Sequence, residues 1–161
     1  VHAVRNAVDH GLETSDARIS AGKSPRGRIN ISALERSGWI DLGIEDDGRG
    51  IDVARVKETA VNRGVIDAAK AATLSNEDVY ELLFLPGFST ASAVSNVSGR
   101  GVGMDAIRAI ARDLGGDAKI TSRPGRGSRV TIRFPIVRPI AAAPQTKTSA
   151  SMSPAGHARA N

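Results

Sequence analysis

The sequence predicts an α/β domain over residues 1–136, on three observations. Gly38-Trp39-Ile40-Asp41-Leu42-Gly43-Ile44 alternates with a period of two, and Ile40, Leu42 and Ile44 form the face turned to a core. Soon after, Val53, Val56 and Ala60 recur at helical spacing, with Gly64 to close the helix. Two further strand-like runs, Asp117 to Ser122 and Ser128 to Phe134, flank the turn Arg123-Pro124-Gly125-Arg126-Gly127.

The elements follow in order. Val1 to His10 reads as a helix with Val1, Val4, Ala7 and Val8 on one face and His2, Arg5, Asn6, Asp9 and His10 on the other. That polar stripe suits either a solvated surface or the wall of a cleft for a metal-bound phosphate. Gly11 supplies a helix stop, and Leu12 to Arg28, with Gly22, Pro25 and Gly27, reads as a polar loop. Ile29 to Glu35 and Gly38 to Glu45 are strands joined as a hairpin at Arg36-Ser37. Helices are expected over Val53 to Arg63, Val65 to Ala72 and Asn76 to Leu85, the last with Ser75 as N-cap and Asp78 completing a capping box. Pro86-Gly87-Phe88-Ser89-Thr90 breaks the pattern, and the small, polar run Ala91 to Ser98 reads as a mobile lid. Gly99-Arg100-Gly101-Val102-Gly103 then feeds a helix from Met104 to Leu114, stopped at Gly115-Gly116. Beyond residue 136 the composition turns to Ala, Pro, Ser and Thr, so 137–161 is expected to be a disordered tail.

Composition narrows the function. At 161 residues the chain holds one domain with a core rather than two. It has no cysteine, which excludes disulfides and thiolate metal sites and fits a reducing cytoplasm. No apolar run approaches about 18 residues, so no membrane-spanning helix is expected. The first residue is Val1, which suggests a piece of a longer protein. The formal charge is +5 and the pI about 10.2. Arg138, Lys147 and Arg159 put +3 in the tail with no acidic residue, leaving +2 for residues 1–136. With three Phe, one Tyr and one Trp for stacking, nucleic-acid binding is not expected.

Two stretches carry chemistry. In Glu45-Asp46-Asp47-Gly48-Arg49-Gly50-Ile51 a carboxylate reaches a turn at a strand end, where Gly48 and Gly50 leave room for a flat ligand. Asp47 is the expected acceptor for an exocyclic amine such as that of adenine. Guanine would set a carbonyl against it, and a site built for one hydrogen-bonding group can reject the analogue lacking it by roughly 10⁴. Asp-Gly after a strand is more often only a turn. The second stretch, Gly99 to Gly103, opens a helix whose free N–H groups and positive dipole end suit phosphate oxygens. It is neither a dinucleotide fingerprint, since no strand immediately precedes it, nor a Walker loop, since no Gly-Lys-Ser/Thr follows.

In combination these pieces resemble the nucleotide-binding fold shared by gyrase, Hsp90, histidine kinases and MutL. Four blocks stand in order: the Asn-bearing helix His2 to Asp9, the D-x-G-x-G turn read as Asp47 to Gly50, the lid Gly99 to Gly103, and the late Gly125 and Gly127 before a final strand. Arg5-Asn6-Ala7-Val8-Asp9-His10-Gly11-Leu12-Glu13, Leu85-Pro86-Gly87-Phe88-Ser89-Thr90 and Ser98-Gly99-Arg100-Gly101-Val102-Gly103-Met104-Asp105 further resemble the catalytic domain of the chemotaxis histidine kinase family, CheA.

The resemblance implies a two-layer α/β sandwich of the Bergerat type, a mixed sheet covered on one face by helices, with ATP between the layers. It implies that Asn6 offers its amide oxygen to Mg²⁺. It also implies that Asp47 reads adenine with support from Ser128, and that Gly48, Gly50 and Ile51 line the base. Gly99, Arg100, Gly101, Val102, Gly103 and Met104 would close over the phosphates, and Arg5, Asp9, His10 and Arg100 would supply polar and charged partners. His2, four residues before Asn6, stands where hydrolysing relatives carry a water-activating Glu, so transfer of the γ-phosphoryl to a histidine on another domain is implied.

Implied partners are a histidine-phosphotransfer domain, a response regulator and, through an intact homodimeric protein, a chemoreceptor and coupling-protein array. Thr59 stands about where relatives often carry Lys, with Arg55 and Lys57 nearby. The rivals are a hydrolysing ATPase of the same fold, a fragment that only scaffolds, and a basic nucleic-acid binder.

Overall fold

Four strands form one sheet in a computed structural model of the protein, which describes residues 2–88 and 103–136. The order is β1 (Ile29–Arg36), β2 (Trp39–Asp46), β4 (Gly127–Pro135), β3 (Asp117–Arg123). Every pairing is antiparallel, from Ile31↔Ile44 through Ile44↔Val130 to Ile120↔Val130. This corrects the expected mixed sheet. Among the described residues the chain makes two hairpins, and the crossover from β2 returns to the far edge, so β4 folds back between β2 and β3 and no parallel neighbours arise there. The first hairpin turns at Ser37-Gly38, one residue later than expected, with φ of 52° and 80°. Two consecutive positive φ values fit the twist of a two-residue hairpin loop.

One face of the sheet carries Ile44, Ala118, Ile120, Val130 and Ile132, and the helices lie on it. These are α3 (Val53–Asn62), α4 (Ala68–Thr73), α5 (Asn76–Leu82) and α6 (Met104–Asp113). Tyr80 and Phe84 with Ile107 and Ala111 pack on β3, and Val56 and Ala60 meet Val79 and Phe88. The start of α5 is fixed as its sequence foretells: Ser75 Oγ accepts from Asp78 N at 3.2 Å, and Ser75 N donates to the Asp78 carboxylate at 3.1 Å. Asp52 and Asp67 cap α3 and α4 in the same way, each accepting a backbone N–H from three residues on.

At the N-terminus, α1 (His2–Asn6) runs on as a wider turn over Ala7–Gly11, where Leu12 N donates to Ala7 O at 2.8 Å, five residues back. Its seat on the core is Ala3 and Ala7, whereas Val8 is 53% exposed, a correction to the apolar face expected at Val1, Val4, Ala7 and Val8. Small residues let this short helix lie close to α6. Leu12 to Arg28 is not all loop: α2 (Ser15–Ser20) forms within it, capped by Thr14. The lid run 91–98, most of the glycine cluster and the tail 137–161 lie outside the described residues.

Candidate functional site

Alternation decides which carboxylate enters the layer between sheet and helices. Ile40, Leu42 and Ile44 face the helices, so the next residue in phase is Asp46, and Asp47 turns the other way. Asp46 is 8% exposed. Its Oδ1 accepts from Gly48 N at 2.9 Å, and the Ser128 N–H also donates to the carboxylate. Burial pushes the Asp46 carboxyl above its ordinary value, against those two N–H donors, and the charges of Asp47 and Glu13 push the same way.

Asp47, the acceptor expected from sequence, is committed elsewhere. Its Oδ2 accepts from Arg18 Nη2 at 2.9 Å and its Oδ1 from Arg28 N at 2.8 Å. Partial burial would raise its carboxyl, but the Arg28 N–H and the Arg18 guanidinium outweigh that and hold it below the usual range. The inward acceptor is therefore Asp46, and the Asp-x-Gly-x-Gly spacing is met from Asp46 through Gly48 to Gly50.

Close backbone approach builds the rest of the turn. Gly48 is buried, and a Cβ there would collide with the Gly11 carbonyl. A Cβ on Gly127 (φ 101°) would collide with the Asp46 carbonyl. Gly11 ends the opening helix, and a Cβ on it would lie 3.1 Å from the Asp46 carboxylate. Arg49 N donates to Gly11 O at 2.9 Å, so helix end and turn are tied directly. Ile51 N donates to Ser122 Oγ at 2.8 Å, and Ser122 Oγ lies 3.4 Å from Ser128 Oγ, forming a small polar end to an otherwise apolar face.

On the opening helix, Asn6 is half-buried and its Nδ2 donates to Met104 Sδ at 3.2 Å. Its Oδ1 takes no hydrogen bond from a described residue. Asn6 thus sits against the first residue of α6, which Gly103 precedes as N-cap. His2 is half-buried, while Arg5, Asp9 and His10 are exposed. Gly99, Arg100, Gly101 and Val102 lie outside the described residues. No group of three or more His, Cys, Asp or Glu among the described residues forms a metal cage, so a cation here would lean on a ligand's own oxygens. Near the departure at Thr59, the Thr59 hydroxyl donates to Arg55 O at 2.8 Å and Lys57 Nζ to Leu74 O at 2.9 Å. Lys57 is therefore occupied in joining α3 to the α4–α5 loop.

Two open clefts flank this end of the sheet. One, of about 420 Å³, lies on the Asp47 side against Lys23, Arg28 and Arg126; the other, of about 490 Å³, lies beside Glu45, Ser122, Ser128 and Arg129. Neither includes Asn6. Sequence reasoning missed Ser122, Gly11, Glu13, Arg18 and Lys23. For Ser122 a signal existed, since it continues the phase of Ala118 and Ile120.

Opposite pKa displacements give opposite stability effects. Asp47 and Glu13 have carboxyls lowered from 3.8 and 4.5, so their stabilisation is complete above those values and is lost as pH falls through the lower folded ones. Asp46, raised from 3.8, opposes folding when ionised, and that penalty vanishes as pH falls through its folded value. Asp46→Asn is thus expected to be more stable than wild type near neutrality, with the gap closing on acidification. Urea melts of both proteins from about pH 7 to about pH 4 read this directly.

Comparison with known proteins gives the family. The model of the Histidine kinase-, DNA gyrase B-, and HSP90-like ATPase family matches residues 1–138. The gliding motility regulatory protein of Myxococcus xanthus is 47% identical over 135 residues, 84% of this chain and 17% of that protein. The chemotaxis protein CheA of Cereibacter sphaeroides is 49% identical over 135 residues, 84% of this chain and 19% of the relative. The chain therefore spans about a fifth of the length of the curated relatives it matches. A histidine kinase domain from the Erythrobacter litoralis EL346 blue-light activated histidine kinase superposes loosely, at 18% identity and a TM-score of 0.43 over 83% of this chain and 40% of that one. The family assignment rests on the sequence matches.

Proposed function

The chain belongs to the Histidine kinase-, DNA gyrase B-, and HSP90-like ATPase family, and from that premise we propose that it is the ATP-binding catalytic domain of a chemotaxis-type two-component kinase. The observation that carries this is the buried Asp46 carboxylate, held by the Gly48 and Ser128 N–H groups beneath the end of the opening helix. It is a buried acceptor at the end of the sheet, and the adenine amine is a donor that fits it. Guanine would bring a carbonyl instead, acceptor against acceptor.

The remaining roles follow from chemistry. Among the described residues nothing hydrogen-bonds the Asn6 amide oxygen, which suits Mg²⁺, a hard cation that takes oxygen ligands and shares phosphates with the protein. Gly48, Gly50, Ile51 and Ser128 line the base end. Gly99, Gly101 and Gly103 lead into Met104 and the N-terminus of α6, whose positive dipole end would stabilise phosphate oxygens, with Arg5, Asp9, His10, Arg100 and Val102 as further contacts. In the transfer, a histidine nitrogen of a separate phosphotransfer domain attacks the γ-phosphorus as the bond to the β–γ bridging oxygen breaks, and ADP leaves. Positioning and charge neutralisation supply most of the rate. His2 lies one helical turn before Asn6, where an imidazole can orient or relay a proton at the acceptor. In a longer protein such a domain would serve a response regulator and a chemoreceptor array in the cytoplasm. Among the described residues no helix is long and apolar enough to cross a membrane.

The test is γ-labelled ATP incubated with this chain and a separate histidine-phosphotransfer domain. Label on the acceptor histidine supports the reading. Free phosphate without an acceptor would make the chain a hydrolysing ATPase, and neither label transfer nor heat of ATP binding would leave a scaffold. His2→Gln is expected to keep ATP affinity and to slow label transfer about 10²-fold, the usual scale of one proton-handling group.

A further inference from the structure

Between the opening helix and β1 lies a set of charged side chains that the phosphoryl chemistry leaves unused. Arg18, on α2, is 1% exposed. Its Nε donates to Ser24 O at 2.7 Å, Nη1 to Glu13 Oε2 and to Asp47 O, both at 3.2 Å, and Nη2 to Asp47 Oδ2 at 2.9 Å. Lys23 Nζ donates to Glu13 Oε1 at 2.8 Å, to Asp47 O at 3.1 Å and to Gly48 O at 2.7 Å. All three ammonium donors are used. Two cations meet two carboxylates around the buried Arg18, so the set is neutral and satisfied, the condition under which such a network rigidifies its surroundings.

What the set grips is the nucleotide turn. The carbonyls of Asp47 and Gly48 are held from below by Arg18 and Lys23, while Arg49 N donates to Gly11 O from the helix side. With the flanking peptides fixed, the Gly48 N–H stays on Asp46 Oδ1 at 2.9 Å, one of the two donors that aim the carboxylate. We infer that Arg18, Lys23 and Glu13 are positioning residues for Asp46, and that their clamp on the Asp47–Gly48 carbonyls sets how sharply the site prefers adenine to guanine. The inference rests on the proposed nucleotide site. A loosened turn lets the acceptor shift and a water enter, and a water can satisfy the guanine carbonyl that a fixed carboxylate rejects.

Lys23→Met keeps the aliphatic stem and removes the three donors. It is expected to weaken ATP binding about tenfold and to narrow the ATP-over-GTP preference about tenfold, the scale of outer-shell substitutions. The matched control is Arg108→Met, far from the turn. Arg108 donates to Glu81 Oε2 at 2.6 Å and to Ala118 O at 2.8 Å, its Nε lies 3.0 Å from Asp117 Oδ1 as an ionic contact off hydrogen-bond angle, and its guanidinium covers the Phe84 ring at 3.8 Å. Arg108→Met is expected to lower the melting temperature and leave the ATP:GTP ratio unchanged, which separates loss of stability from loss of positioning. Amide exchange at Gly48 and Arg49 reads the clamp without nucleotide, and it should quicken in Lys23→Met but not in Arg108→Met. If wild type binds no ATP, the nucleotide reading fails, and unchanged Gly48 and Arg49 exchange would remove the clamp as well. If wild type binds ATP and Lys23→Met keeps the wild-type ratio, the inference is overturned even where exchange quickens.

Discussion

Asp46→Asn is expected to weaken ATP binding about 10²–10³-fold while the protein folds as well as wild type or better. Asparagine is nearly isosteric, and its carbonyl can still accept from Gly48 N. Its amide nitrogen, however, would face the adenine amine, donor against donor. Ionised Asp46 also opposes folding, because burial and the nearby charges of Asp47 and Glu13 raise its carboxyl above the ordinary value. The substitution removes that cost. Binding and stability therefore move in opposite directions, the signature of a group held for function at the expense of stability. Asp47→Asn behaves differently. It deprives the buried Arg18 of one carboxylate, at a cost of about 1 kcal/mol, kept small because the Asp47 side chain is 39% exposed. Calorimetry and thermal melts on the two variants separate them.

Gly48→Ala is expected to lower both stability and binding. A Cβ at that buried position would run into the Gly11 carbonyl, and backbone cannot swing aside as the tip of a side chain can. Forcing the helix end away from the turn would cost about 2–3 kcal/mol, the upper part of the usual overpacking range. It would also break the Arg49 N to Gly11 O hydrogen bond that joins the two walls of the site. Gly64→Ala provides the contrast. Gly64 has a φ of 67° with open space around it, so alanine there pays backbone strain of about 1 kcal/mol and leaves nucleotide binding alone. Equal melting temperatures for Gly48→Ala and wild type would refute the close approach.

Much of this architecture is legible in the residues. Alternation in 38–45 and 128–134, the helical spacing of Val53, Val56 and Ala60, and the Ser75–Asp78 box all encode local geometry through short-range rules. Residues 15–20 escape such rules because Ser-Asp-Ala-Arg-Ile-Ser shows no apolar stripe. That helix is secured by one arginine with long-range partners, among them Asp47, 29 positions away. On α1 the expected apolar face holds at Ala7 and fails at Val8, with Ala3 joining it: small residues seat the helix through closeness rather than bulk, which hydropathy does not weigh. The choice between Asp46 and Asp47 was available, since Asp46 continues the phase of Ile40, Leu42 and Ile44. The glycine directly after Asp47 is a local turn cue that competes with that phase.

Paired titrations of the wild-type chain by calorimetry, with Mg-ATP in one cell and Mg-GTP in the other, test most directly whether Asp46 reads the amino edge of a purine. The account predicts saturable heat with ATP and affinity for GTP lower by about 10³-fold or more. Equal affinity for the two nucleotides, or an ATP preference that survives Asp46→Asn, would contradict it.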